Sequence, residues 1–419
     1  MSNNGTEKLH AKTRVLTYGF DPALSVGSAR PAVFRSSTYV FSSPESAERA
    51  FDVASGRAVA EADERPELIY SRLNHPNAEI LENQIVPLEQ GATAAVVFNS
   101  GMAAIVTSML AFLRPGQQIV HTVPAYGGTE HFLQDYLPAW GVQTVPVIAG
   151  NCDELIERIH SARDLGIVFI ETPTNPTLVM TDLRRVCEAV HGRGDEKNRP
   201  LIIVDNTFLG PVFQHPLQLG VDLAVYSATK YLSGFSDMLG GVALAKKKEI
   251  IEKIRLLRVT FGNILQPDEC WLLDGRLPTV ELRMNRASKN AQRIAEALAG
   301  HPAIERILYP TLLQDRAQME IYKSQCDQPG AIFSLELKGG KRSAFDFLRK
   351  LRIARNAVSL GGVETLVCHP KTTTHSGFPD SESERMGVTD SLVRISVGIE
   401  DWRDLLADFE QALSAVNGM

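Results

Sequence analysis

Cysteine is scarce in this sequence, and the few residues present stand far apart. The 419 residues include five, Cys152, Cys187, Cys270, Cys326 and Cys368, and the closest two are 35 positions apart. An odd number at that spacing excludes a short-spaced zinc site and argues against a disulfide framework. Long apolar runs are missing as well. Leu201–Val204 and Val106–Leu113 fall far short of the roughly 20 residues that span a bilayer. Nor is there an excess of positive charge: Lys and Arg number 43 against 49 Asp and Glu, a formal net charge of −6. Such a chain has no electrostatic footprint for nucleic acid or an anionic membrane. Met1–Glu7 carries neither a basic nor an apolar stretch, so no secretory signal is expected and a cytoplasmic, reducing setting is. What is present is ordinary for a globular enzyme, with 44% hydrophobic and 22% charged residues. The length suits two or three domains.

Residues 1–77 have little periodicity and mix Pro, Gly, Ser and charge, as in Pro31, Pro44, Gly56 and Glu61–Glu64. They read as an extended arm with few elements of its own. The apolar content of Val33–Phe41 is costly to leave in water, so the arm is expected to pack on something, a second subunit included. Residues 78–279 alternate short apolar runs with amphipathic stretches. Strands are expected at Ala94–Phe98, Gln118–Thr122, Gln143–Val147, Gly166–Glu171, Leu201–Asp205, Leu223–Ser227 and Gly241–Ala245. Helices are expected at Met102–Leu113, Thr129–Trp140, Asp153–Arg163 and Thr181–Arg193. Strands rich in Val and Ile without alternation are buried on both faces. The pattern predicts an α/β fold whose central sheet is mostly parallel, with helices on both faces. Helical spacing continues through 248–258 and 281–299, and residues 280–419 read as a smaller C-terminal α+β domain. Its expected elements are strands Ile332–Leu337 and Leu392–Val397 and helices at 343–351 and Trp402–Val416.

Ligands of such sheets sit beyond the carboxyl ends of the strands, and that rule selects residues. After Phe98 come Asn99-Ser100-Gly101-Met102, where a Ser N-cap and a Gly present free N–H groups suited to a phosphate; a plain cap is the simpler alternative. After Ile170 comes Glu171-Thr-Pro-Thr-Asn-Pro176, a turn stiffened by two prolines that can fix Asn175. After Val204 stands Asp205, a carboxylate that needs a cationic partner to stay ionised once buried. After Tyr226 come Ser227-Ala-Thr229-Lys230, and a lysine at the tip of a central strand is paired or reactive unless it snorkels to water. A phosphate cradle, a buried carboxylate and a lysine at one sheet edge form the combination that pyridoxal phosphate needs.

Seven ordered segments then carry a resemblance: Tyr70-Ser-Arg72, Asn99–Met102, Tyr126-Gly-Gly-Thr129, Glu171–Pro176, Val204–Phe208, Ser227–Tyr231 and Val393–Asp401. The sequence resembles the trans-sulfuration, or Cys/Met metabolism, family of pyridoxal-phosphate enzymes, from about Thr38 to the C-terminus. The resemblance implies fold type I and an enzyme of sulfur amino acid metabolism that performs γ-elimination or γ-replacement. It further implies that Lys230 is the Schiff-base lysine and proton shuttle and that Asp205 is the partner of the pyridine nitrogen. Tyr126 is then the tyrosine stacked on the ring, which can assist as acid or base. Ser100, Gly101, Met102, Ser227 and Thr229 line the phosphate cradle. Asn175 stands near the ring hydroxyl, Arg394 clamps the substrate carboxylate, and Ser359 lies in the loop supporting it. Tyr70 and Arg72 match a pair that reaches the phosphate of a neighbouring subunit. That makes a homodimer or homotetramer with shared sites the expected assembly, acting on a small amino acid, with no metal, nucleic acid or membrane involved.

Several positions depart from the family pattern. Phe235 follows Gly234 where the family usually has His, and Asp274-Gly275-Arg276-Leu-Pro-Thr-Val280 replaces a common Arg-Gly-Leu-Lys-Thr-Leu. Gly128 stands where many methionine γ-lyases have Cys, and their lysine–aspartate pair is not evident around Arg258–Gly262. Val358 suits methionine γ-lyases and acylhomoserine sulfhydrylases, and the Thr-Thr-His ending of His369–His375 resembles a sulfhydrylase. These markers conflict, so γ chemistry is the main expectation. O-acylhomoserine sulfhydrylase, cystathionine β-lyase and a non-catalytic scaffold are the alternatives.

Overall fold

The computed structural model describes residues 9–416 apart from residues 17, 62, 63, 65, 66 and 195–197. The Met1–Glu7 reading and part of the acidic stretch Glu61–Glu64 therefore lie outside the described residues. Apolar runs that cannot be left in water form a central sheet of seven strands: β1 (Ala94–Phe98), β2 (Gln118–Val123), β3 (Gln143–Ile148), β4 (Leu165–Glu171), β5 (Leu201–Asp205), β6 (Leu223–Ser227) and β7 (Gly241–Ala245). Their order is β1-β7-β6-β5-β4-β2-β3, and only β7 runs against the rest. Both faces are covered. Ile167 and Phe169 of β4 pack with helices Gly101–Phe112 and Lys248–Phe261, while Val168 and Ile170 pack with helices Cys152–Ser161 and Leu183–His191. This two-sided burial is why the strands read as continuous apolar runs.

A second sheet of five strands follows: β8 (Ile304–Leu308), β9 (Ile332–Leu337), β10 (Arg355–Asn356), β11 (Leu366–Cys368) and β12 (Leu392–Ser396), in the order β10-β11-β12-β9-β8. Its core includes Phe333, Leu335, Val393 and Ile395 with helix residues Ile294, Phe347 and Phe409.

Two expectations need correction. The stretch Thr129–Trp140 is not one helix: Gly127–His131 is α-helical, Phe132–Tyr136 is a wider π turn, and Pro138–Trp140 is a tight 3-10 turn. Pro138 lacks the N–H that a continuing helix would use. The N-terminal arm carries a full helix, Pro44–Ala54. Ser43 caps it by accepting from the Ser46 N–H at 3.1 Å, while Ser46 Oγ accepts from the Ser43 N–H at 3.1 Å. Arg30 and Pro31 of the arm pack on their own chain, while Val33 and Val40 stay exposed. Arg30 lies 4.0 Å over the Trp271 ring and donates to the Trp271 carbonyl at 2.7 Å, and Trp271 Nε1 donates back to the Pro31 carbonyl at 2.9 Å. Among the described residues no helix is long and apolar enough to cross a membrane, and no group of three or more His, Cys, Asp or Glu is placed to hold a metal ion.

Candidate active site

The strand ends meet as the parallel register requires. Glu171 closes β4 opposite Asp205 of β5, and Gly241 pairs with Phe98 on one side and Ser227 on the other. The helix Gly101–Phe112 starts at this edge. Ser100 caps it by accepting from the Ala103 N–H at 3.1 Å, and no hydrogen bond is recorded for the Gly101 and Met102 N–H groups among the described residues. A Cβ at Gly101 would lie 2.8 Å from the Ser227 Cβ, so only glycine lets the helix start approach β6 this closely. Thr229 faces the same strand end, with Oγ1 3.3 Å from the Gly240 carbonyl and 3.1 Å from the Gly240 N–H.

Asp205 is buried. Its Oδ1 accepts from the Thr207 N–H at 3.0 Å and from the Thr207 hydroxyl at 2.6 Å, while Oδ2 has no recorded partner among the described residues. Burial pushes its pKa above the ordinary value, and the Thr207 donors oppose that shift. Among the described residues no Lys, Arg or His pairs with this carboxylate. Thr207 Oγ1 also accepts from the Ser227 N–H at 2.9 Å, tying the tips of β5 and β6 together.

Lys230 follows β6. Its Nζ donates to Ser359 Oγ at 3.0 Å, and burial, then the Arg394 guanidinium, push it down to about 8. Ser359 sits on a loop pressed against the lysine: a Cβ at Gly361, where φ is +75°, would be 2.8 Å from the Tyr231 nitrogen and 3.1 Å from the Lys230 carbonyl carbon. Arg394 on β12 is buried. It donates to Asn175 Oδ1 at 2.9 Å, to the Val358 carbonyl at 2.8 Å and to the Ser359 carbonyl at 3.1 Å, while its buried Nε has no partner among the described residues. Lys230, Asn175, Ser359 and Arg394 are thus drawn together from both sheets.

Tyr126 is 44% exposed. A Cβ at Gly128 would lie 2.7 Å from its ring and 3.0 Å from Met102 Sδ. A cysteine at that position would have to displace Tyr126, which gives the Gly128 departure a local reason. Tyr70 and Arg72 stand elsewhere in the chain. Arg72 donates to the Val259 carbonyl at 2.7 Å and Tyr70 pairs with Thr38, and none of their recorded bonds reaches Lys230 or Asp205. The lysine–aspartate pair missing near 258–262 is replaced by a structural contact: Arg258 is buried and donates to Glu82 at 2.9 Å.

Three site residues were not singled out from the sequence. Glu171 accepts from the Tyr126 N–H at 2.7 Å and the Asn175 N–H at 2.9 Å; the strand-end rule that selected Asp205 also reaches it. Thr207 bridges β5 and β6, and a hydroxyl two residues after Asp205 was the available signal. His375 is buried with Nε2 3.2 Å from the Ala125 carbonyl, and burial, then Arg394, push it down to about 4. The Thr-Thr-His ending marks it only as a specificity marker, with no site role.

The other two departures touch. Arg276 lies 4.8 Å over the Phe235 ring and pairs with Asp237 at 2.6 Å, while Arg283 lies 5.5 Å from the same ring and donates to the Tyr231 carbonyl at 2.7 Å. Gly275 lies under Arg30 of the arm, where a Cβ would be 2.5 Å from the guanidinium. Residues 274–276 thus join the arm to the loop that follows Lys230.

A sheet of this order with a half-buried lysine and a buried carboxylate at its strand ends defines a cofactor-dependent α/β enzyme, and the likeness to solved structures agrees. The structure of metB from Corynebacterium glutamicum superposes with a TM-score of 0.86 at 33% identity, covering 97% of this chain and 98% of that one. Residues 12–414 match the Cys/Met metabolism PLP-dependent enzymes, and the chain belongs to that family. It is 37% identical to the L-methionine gamma-lyase of Fusobacterium nucleatum subsp. polymorphum over 414 residues, 98% of each chain. It is also 39% identical to the cystathionine beta-lyase MetC of Bacillus subtilis over 347 residues, 83% of this chain and 86% of that one.

Proposed function

We propose that this enzyme carries out γ-elimination or γ-replacement on a sulfur-containing or homoserine-derived α-amino acid. The residues present fit pyridoxal phosphate. Asp205 Oδ2 has no recorded partner beside a burial-raised pKa, the lysine amine is pushed down to about 8, and the open N–H groups of Gly101 and Met102 adjoin Ser227. Lys230 would hold the cofactor through Nζ, Asp205 would face its ring nitrogen, and Ser100, Gly101, Met102, Ser227 and Thr229 would hold its phosphate, a dianion suited to a helix N-terminus. Tyr126 would cover the ring, and Asn175 would stand near its hydroxyl. When bound, the cofactor supplies an electron sink for negative charge developing at the substrate α-carbon.

The chain's own groups divide the remaining work. Arg394 holds the substrate carboxylate, with Asn175 and the Val358 and Ser359 carbonyls fixing its guanidinium. Nζ of Lys230 takes the proton from the substrate α-carbon; an amine pushed down to about 8 has a useful neutral fraction near pH 7. Only after handing that proton on can the same Nζ take one from the β-carbon, and the γ-substituent then leaves with its bonding electrons. Residues 1–77 form the arm, 78–279 the cofactor domain and 280–419 the C-terminal domain. Tyr70 and Arg72 complete the phosphate site of a second copy, so the working unit is at least a dimer and a homotetramer in its usual form.

The observation that carries this reading is the convergence of Lys230 and Arg394 on Ser359, which sets a proton-transferring amine beside a carboxylate clamp. The test is a screen of the holoenzyme with methionine, cystathionine, acylhomoserine plus cysteine, and acylhomoserine plus sulfide, read by keto acid, ammonia, thiol and thioether. A four-carbon keto acid or a new thioether is expected, and acylhomoserine turnover with sulfide alone would select the sulfhydrylase reading. Pyruvate from cystathionine as the only product would overturn γ chemistry in favour of a β-lyase.

A further inference from the structure

We infer that Glu171 is a positioning residue that sets the ring-covering Tyr126 and the carboxylate-binding Arg394 together. The inference rests on the proposed function. Glu171 is buried at the tip of β4, directly beside Asp205 in the sheet register. One oxygen accepts from the Tyr126 N–H at 2.7 Å and the other from the Asn175 N–H at 2.9 Å. The side chain of Asn175 in turn accepts from Arg394 at 2.9 Å. One carboxylate therefore splints the residue on the ring face and the residue that aims the substrate clamp.

A plain turn does not explain this choice of residue. Among the described residues Glu171 has no recorded ion pair, and it lies against a second buried carboxylate. Burial, then Asp205, push its pKa well above the ordinary carboxylate range. That is a costly place for an acid. What the carboxyl group offers is two acceptor oxygens a fixed distance apart; the amide of Gln has one. A site that must hold two N–H groups from two segments, Tyr126 and Asn175, needs both oxygens. Precision of this kind matters where small misplacements of a clamp reduce rate and binding.

The test uses Glu171→Gln holoenzyme and glycine, an amino acid without a γ-substituent, with binding followed by the change in the cofactor's visible absorption. Removal of one of the two hydrogen bonds is expected to weaken glycine binding by roughly tenfold. The same substitution made in an Asn175→Ala background should cost at least threefold less, because the path to Arg394 is already cut. A ratio between the two effects below about threefold overturns the inference, since a general loss of packing would weaken both backgrounds alike. Should Glu171→Gln give no folded protein, Asn175→Ala alone carries the test: weaker glycine binding with the visible band retained is expected, and unchanged binding refutes the path. A wild-type holoenzyme whose spectrum ignored glycine would sink the proposed function and this inference with it. A normal wild-type response with a failed ratio would sink the inference alone.

Discussion

The depressed pKa of Lys230 sets the pH at which the enzyme can take up its cofactor. Only the neutral amine attacks an aldehyde. An ordinary lysine, with a pKa near 10.4, is neutral to about 0.04% at pH 7, whereas one pushed down to about 8 is neutral to about 10%. The advantage is roughly 200-fold at neutral pH. The sign follows from burial, which disfavours the charged form, and from Arg394, which repels it. The assay mixes apoenzyme with pyridoxal phosphate between pH 7 and 10.5 and follows the cofactor's absorbance shift on attachment. Above pH 7 the phosphate is fully charged, its second pKa being about 6, and does not contribute. The rate should rise roughly fivefold between pH 7 and 8 and level above about pH 9. Arg394→Gln removes the repelling cation and should move the plateau to higher pH. A wild-type rate still climbing about fivefold between pH 9.5 and 10.5, as an ordinary lysine would give, would refute the reasoning.

Three further outcomes are expected. Gly361→Ala places a Cβ 2.8 Å from the Tyr231 nitrogen in a left-handed conformation and should destabilise the protein by about 1–3 kcal/mol, read as a lower denaturation midpoint; an unchanged midpoint contradicts the close approach. Phe235→Leu and Arg276→Met should be coupled by about 0.5–1 kcal/mol in a double-mutant cycle, the range of a partly exposed cation–π contact, and strict additivity would show that the two departures are independent. Inactive Arg72→Ala and inactive Lys230→Ala chains, refolded together, should regain activity in mixed dimers, because one site of each hybrid has both native groups; absence of complementation would contradict the shared site.

Much of the fold was legible because its strands are buried on both faces. Ala94–Phe98, Leu201–Asp205, Leu223–Ser227 and Gly241–Ala245 fall where their apolar runs put them. Signals weaker than a full apolar run were harder to read. The Pro44–Ala54 helix is announced only by Ser43 and Pro44, and the break after His131 is set by local geometry that hydrophobic spacing does not encode. In the site, Lys230, Asp205, Asn175, Ser359 and Arg394 were selected by strand ends and by resemblance. Glu171 was given no role because the turn it opens was read for Asn175, and only the folded turn brings the Tyr126 and Asn175 N–H groups onto its two oxygens. The contact of Phe235 with Arg276 spans 41 positions in sequence, and no local pattern announces it.

The account stands most directly on the identity of the lysine that carries the cofactor. Borohydride reduction of the holoenzyme fixes the cofactor to its amine, and peptide mass mapping then locates it. The account predicts a phosphopyridoxyl group on Lys230 and on no other residue. A label on a different lysine, or an unlabelled Lys230 in enzyme that has bound its cofactor, would contradict it.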